Sequence, residues 1–295
     1  MSETVASLVQ MAEPYGRRVP YGSAYWLILP ATLFLAACYY YPLIRVVWIS
    51  FSEPTIGIQN YEQLITSASI HRVVTTTLRI CVLCTSACVV LGYIVSYVLL
   101  RAGPTKRRVM LLCVLLPLWI SGLVRAFAWV TLLRNEGFIN STLMWVGLIS
   151  RPLDLVWNEV GVVIGMTHYM LPFAILPLYA SMLEIDQRIL MAAQSLGASK
   201  SQVFLRIFFP LSVPGVAAAG VLVFVYSIGF FITPAILGGG KTLMIAEYVR
   251  LQIVELLRWG IGTMLSVTVG VSVLIIWGIA VKLIGTQRMF GRASL

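Results

Sequence analysis

Apolar residues along this chain gather into six runs, near 24–44, 73–100, 109–133, 160–180, 211–237 and 260–281, with polar residues concentrated between them. A helix needs about 20 apolar residues to cross the hydrocarbon layer of a bilayer, and each run reaches that length. The pattern predicts an all-α polytopic membrane protein with six transmembrane helices and both termini on one side. Proline stands within or at the edge of several runs, at Pro30, Pro117, Pro172, Pro177, Pro214 and Pro234. Kinked helices braced by packed neighbours are therefore expected. The expected organisation is a tail at 1–23, one transmembrane domain at 24–283 with a long connection at 181–212, and a second tail at 284–295.

Composition agrees with that pattern. Over 295 residues the chain is 59% hydrophobic and 11% charged, and its mean hydropathy of +0.92 excludes an ordinary soluble domain. The net charge of +10 raises nucleic acid as a partner, yet Lys and Arg stand at the ends of apolar runs rather than on one basic face. They set orientation instead. One side collects 12 of them: Arg17, Arg18, Arg101, Lys106, Arg107, Arg108, Arg188, Lys200, Arg206, Lys282, Arg288 and Arg292. The other collects 7: Arg45, Arg72, Arg134, Arg151, Lys241, Arg250 and Arg258. The richer side is assigned to the cytoplasm, which puts both tails and the 181–212 connection there. No small-residue cleavage site follows the first run, so that run is expected to stay as a span. All five cysteines fall inside apolar runs, where packing is the expected role. Cys81, Cys84 and Cys88 share one helical face but have no His or carboxylate at ligand spacing, and no metal site is assigned.

The long connection is the most patterned segment. Ile189, Ala192, Ala193 and Leu196 recur at helical spacing, Gly197 interrupts, and Val203, Phe204, Ile207 and Phe208 resume the period before Pro210. Two short helices joined by a turn are predicted. Small residues at Ala192, Ala193 and Ala198 let such a helix seat closely in a groove, and Gly197 permits a sharp change of direction. Phe204 and Ile207 supply apolar anchors.

The run from Met191 through Ala192-Ala193-Gln194-Ser195-Leu196-Gly197-Ala198-Ser199-Lys200 to Ile207-Phe208-Phe209-Pro210 resembles the EAA loop of permeases from binding-protein-dependent ABC importers. Met191 stands where that family usually has Glu, and Phe209 where it usually has Leu. Four further segments are similar to the spermidine/putrescine branch: Leu116–Trp129, Asn135–Asn140, Leu171–Ser181 and Thr233–Gly240. The resemblance covers about residues 24 to 283. It implies a type I ABC importer permease fold in the bacterial inner membrane, with no catalysis in this chain. It also implies a second permease subunit, two ATPase subunits that carry ATP and Mg, and an external solute-binding protein. A polyamine is the implied cargo; amino-acid derivatives, opines, organophosphonates and ferric ion are the alternatives. The implied coupling residues are Ala192, Ala193, Leu196, Gly197, Ala198, Ser199, Lys200, Phe204, Ile207 and Pro210.

Other features bear on the path through the membrane. Arg79 and Arg125 lie inside spans, where an unpaired charge costs about 2.5–3.5 kcal/mol, so each should face protein or water. Arg125, deeper in its run, is placed on the translocation path. No acidic residue lies deep in any span, which leaves Trp119, Trp129, Tyr169 and Tyr226 as aromatic faces for a passing ammonium group. Gly161 and Gly165 form a pair suited to close helix packing. Ala235–Thr242 is one glycine short of a phosphate-binding loop and follows a span rather than a strand, so a flexible external turn is expected. An intramembrane enzyme would require a polar constellation such as His-Glu-x-x-His, and none is visible.

Overall fold

The computed structural model describes residues 21–284, and side chains from Ile28 to Lys282. Nearly all of both expected tails lies outside the described residues. Every regular element among the described residues is helical. The chain divides into two compact units at Trp48/Ile49. The first holds the body of helix α1 (Tyr21–Ser52), which contains Pro30 and Pro42 and is apolar on all faces, as a helix that meets lipid requires.

The second unit is built on three long helices: α3 (Ala68–Arg101), α7 (Glu159–Leu183) and α10 (Phe209–Ile228), which pack against one another along their lengths. A short helix, α2 (Gln59–Thr66), precedes α3. Small residues allow the close approach. A Cβ added to Gly92 of α3 would stand 3.1 Å from the Ala174 methyl of α7. Cys81, Cys84 and Cys88 are buried where the three helices meet; the Cys88 thiol donates to the Thr167 carbonyl at 3.5 Å. Asn158 caps α7 by accepting from the Gly161 amide at 3.0 Å. Arg79 of α3 and Glu159 of α7 form an ion pair at 3.2 Å, half-exposed, so Arg79 has a structural partner.

Two expected spans are drawn differently by the structure. The run at 109–133 is not one helix. It is α4 (Pro104–Leu115) with a tight turn at Leu116–Trp119, then α5 (Gly122–Leu133) and α6 (Phe138–Trp145), with a bend of 102° between the halves. Pro117 denies the helix an amide donor; Leu116 before it stays helical, and the chain turns extended at Ile120, with ψ 133°. The fifth expected span, 211–237, is displaced toward the N-terminus. An apolar helix runs from Lys200 to Ile228, and Ile232–Leu237 forms a separate short helix, α11, beyond Gly229 and Phe230. α12 (Ile245–Arg250) and a π turn at Leu251–Glu255 lead into α13 (Trp259–Ile284), the last span.

The expected glycine pair packs against short elements. A Cβ on Gly165 would meet Leu237 of α11 at 2.6 Å. Gly239 lies in the left-handed region at φ +55° beneath the Trp157 ring, and the Lys241 amide donates to the Gly238 carbonyl at 3.0 Å. The segment expected to be a flexible turn is thus hydrogen-bonded and packed.

Candidate functional site: the coupling loop and the broken span

The connection after α7 begins with α8 (Gln187–Ser195), whose first turn is capped by Asp186 accepting from the Arg188 amide at 2.8 Å. Leu196 and Gly197 form the tip. Gly197 adopts φ +89°, a left-handed value that side chains resist, and its amide donates to the Gln194 carbonyl at 2.9 Å. The Ala198 amide reaches back to Ala193 at 3.1 Å, so the turn is held from both sides. Ser199 and Gln202 then form a capping box that starts α9 (Lys200–Val203). The tip is open: Leu196 is 89% exposed, and nothing lies within 4 Å of where a Gly197 Cβ would be.

The second helix of the hairpin is not short. α9 continues through a π turn at Phe204–Phe208 into α10, making one helix from Lys200 to Ile228. Pro210, expected to end the loop, lies inside that helix. The π turn accommodates it: the Phe209 amide donates five residues back to Phe204, so the ladder shifts by one residue ahead of the missing proline donor.

Phe204 also differs from expectation. Instead of pointing outward as an anchor, it packs on Tyr97 at 5.2 Å between centroids, on Phe208 at 5.9 Å and on Tyr93 at 6.4 Å. With buried Met182, Ile185 and Phe208 these rings fasten the hairpin to the ends of α3 and α7. Ile207 is half-buried as well. Apolar groups that remain outward include Ile189, Met191, Leu196, Leu205 and Phe209.

At the broken span, the Arg125 guanidinium donates from one nitrogen to the carbonyls of Pro117 and Ile120, the latter at 2.8 Å. The Ile120 carbonyl is freed by the break and Arg125 closes it off, while the Pro117 carbonyl also accepts from the Ile120 amide at 3.3 Å. Its carbon lies 4.4 Å above the Tyr169 ring. Arg125 is 6% exposed, and its Nε and Nη1 have no partner. Tyr169 packs on Phe230 at 4.6 Å and is stacked on Phe173 at 6.3 Å, and Phe173 stacks on Tyr226 at 5.2 Å. Trp129 donates to Nδ1 of His168 at 3.1 Å.

The structure therefore gathers Arg125, Tyr169 and Tyr226 into one aromatic belt, with the Trp129–His168 pair beside it. Trp119 is not part of it; at 91% exposure it projects from the turn. The face of Tyr169 under Arg125 is already occupied by an internal cation. Sequence reading missed Phe173 and Phe230 as members of the belt; Phe173 follows Tyr169 by one helical turn on α7, and that spacing was the available signal.

It also missed Glu247 of α12, outside the long spans, which is 9% exposed with one carboxylate oxygen unpartnered. Burial raises its pKa, opposed by the nearby charge of Arg250.

Comparison with known proteins agrees with this architecture. Residues 66–290 match the model of the family described as binding-protein-dependent transport system inner membrane component. The chain is 32% identical over 232 residues to the spermidine/putrescine transport system permease protein PotB of Escherichia coli (strain K12), covering 77% of this chain and 84% of that one. It is 32% identical over 219 residues to PotB of Haemophilus influenzae, covering 74% and 76%. Among solved structures, a bacterial alginate ABC transporter in complex with a periplasmic protein bound to alginate pentasaccharide contains a chain that superposes with a TM-score of 0.71 at 21% identity, covering 90% of this chain and 95% of that one. The chain belongs to the binding-protein-dependent transport system inner membrane component family, the permease subunits of ABC importers, which move solutes and are not enzymes.

Proposed function

We propose that this permease imports a polyamine of the spermidine or putrescine type, and that the hairpin from Ala192 to Pro210 is the part an ATPase subunit grips. The observation that carries the coupling role is the Leu196–Gly197 tip, outward and unencumbered, on a hairpin fastened at its base by Phe204 and Phe208. A tip that is free while its base is rigid transmits displacement to the spans it is built on. The polyamine assignment rests on the 32% identity to two PotB permeases.

On this reading the protein works with a second permease subunit, two ATPase subunits that bind ATP and Mg, and an external solute-binding protein. The loop at 181–212 lies in the cytoplasm with both tails, in keeping with the Lys and Arg bias. ATP binding draws the ATPase subunits together, the hairpin moves with its groove, and the continuous Lys200–Ile228 helix carries the motion into the membrane. Cargo passes along the Tyr226 end of the belt, away from Arg125, where an exposed aromatic ring accepts an ammonium group. Arg125 shapes the path by holding the broken span rather than by binding the cation.

Reconstitution with its neighbouring subunits tests both halves. Labelled spermidine should accumulate only with ATP and the solute-binding protein, and the chain should co-purify with an ATPase. Isolation as an active lone carrier would sink the coupling role; ATP-driven uptake of a different solute with no response to polyamines would overturn the cargo.

A further inference from the structure

Three spans change over at one end of the second unit: α3 ends at Arg101, α7 ends at Leu183, and the Lys200–Ile228 helix begins. Between these ends and α8 runs a groove of about 620 Å³. Arg101 and Lys200 stand in its lining with no carboxylate beside them, and the ion pairs found among the described residues, Arg79–Glu159 and Arg250–Glu255, use neither. The Arg101 guanidinium lies 4.3 Å over the Tyr97 ring, which holds the charge at the groove wall. Gln187 and Gln194 add amide donors, and Leu183, Leu190 and Met191 make an apolar wall.

The combination of charge and apolar wall narrows the occupant. A free anion would use the cations and leave the leucines uncovered. A phosphate that carries acyl chains satisfies both, and span ends lie at the level where lipid phosphates sit. The cytoplasmic leaflet is negative, and basic pockets between span ends on that side attract anionic headgroups.

We infer that this groove seats the headgroup of an anionic phospholipid, with its phosphate between Arg101 and Lys200 and its acyl chains along Leu183 and Leu190. Because α8 forms one wall, the bound lipid braces the hairpin against the end of α3. The inference rests on the cytoplasmic placement of the hairpin given under the proposed function.

The test uses the full chain in nanodiscs of phosphatidylcholine containing a minor fraction of labelled phosphatidylglycerol, with retained lipid counted by native mass spectrometry. The unsubstituted protein should enrich phosphatidylglycerol several-fold. Arg101→Gln and Lys200→Gln should each abolish that enrichment, while Arg108→Gln, whose side chain lies outside the groove, should keep it. Equal enrichment in all three variants overturns the inference. So does displacement of the lipid by millimolar inorganic phosphate, which would mark a soluble-anion site, or by an added ATPase subunit, which would mark a protein seat. Lipid retention is read without ATP, cargo or partners, so failure of the proposed uptake function would show in a separate experiment.

Discussion

Two prolines interrupt two spans of this permease, with opposite results. At Pro210 the helix continues: the ladder slips by one residue through Phe204–Phe208, and Lys200–Ile228 remains a single rod. At Pro117 the helix ends, the chain turns through 102°, and Arg125 takes up the carbonyls of Pro117 and Ile120. What differs is the supply of replacement partners. Before Pro210 the backbone satisfies itself with a longer-reaching bond. After Pro117 the Ile120 amide reaches only the Pro117 carbonyl, at 3.3 Å, and the buried Arg125 side chain supplies the donor for the Ile120 carbonyl. A continuous rod suits the transmission of motion from a hairpin, and a bent span suits the wall of a path.

The largest effect is expected from removing the side chain that stabilises the bend. Arg125→Leu should leave the Ile120 carbonyl without its donor, destabilise the purified permease by about 2 kcal/mol, and abolish uptake. Arg125→Lys keeps the charge but not the flat guanidinium over Tyr169, and should recover only part of the melting temperature. An unchanged melting temperature in Arg125→Leu would show that the bend stands without its cap.

Gly197→Val acts next, on the hairpin that feeds the continuous rod. The left-handed turn makes a branched side chain cost about 1–2 kcal/mol locally, although space is open around it. Substrate-stimulated ATPase activity should collapse while the spans melt nearly as before; full coupled uptake in this variant would remove the tip from the mechanism.

Pro117→Ala should have a modest effect, because Arg125 uses the Pro117 carbonyl, which alanine retains. Cysteine cross-linking across the turn should show the bend preserved. A straightened span would mean that proline alone makes it. The smallest change is expected for Pro210→Ala, within about 0.5 kcal/mol, since the π turn already compensates for the missing donor. A large stabilisation there would mean that the π turn was itself strained.

Much of the plan of this protein was legible from spacing alone. Hydrophobic length requires only a local count, so the spans near 73–100, 160–180 and 260–281 coincide with α3, α7 and α13 to within a few residues at most ends, and the first lies inside α1. The turn at the tip of the hairpin was equally legible, because Gly197 is needed by its own backbone angle and Ser199 caps its own helix. These are interactions between residues a few positions apart, which a one-dimensional pattern records.

What lay beyond the sequence depended on residues distant along it. Apolar composition cannot distinguish a straight span from one bent by 102°, because both bury the same residue types; the bend depends on whether a donor is near the freed carbonyl. Phe204 reads as an outward anchor until Tyr97, more than a hundred positions away, is found against it. Sequence by itself determined that the chain is a bundle of membrane helices with a patterned hairpin between the fourth and fifth spans. Tertiary structure alone decided which interruption stays a rod and which becomes a corner, because that choice rests on hydrogen-bond partners and ring contacts that only packing brings together.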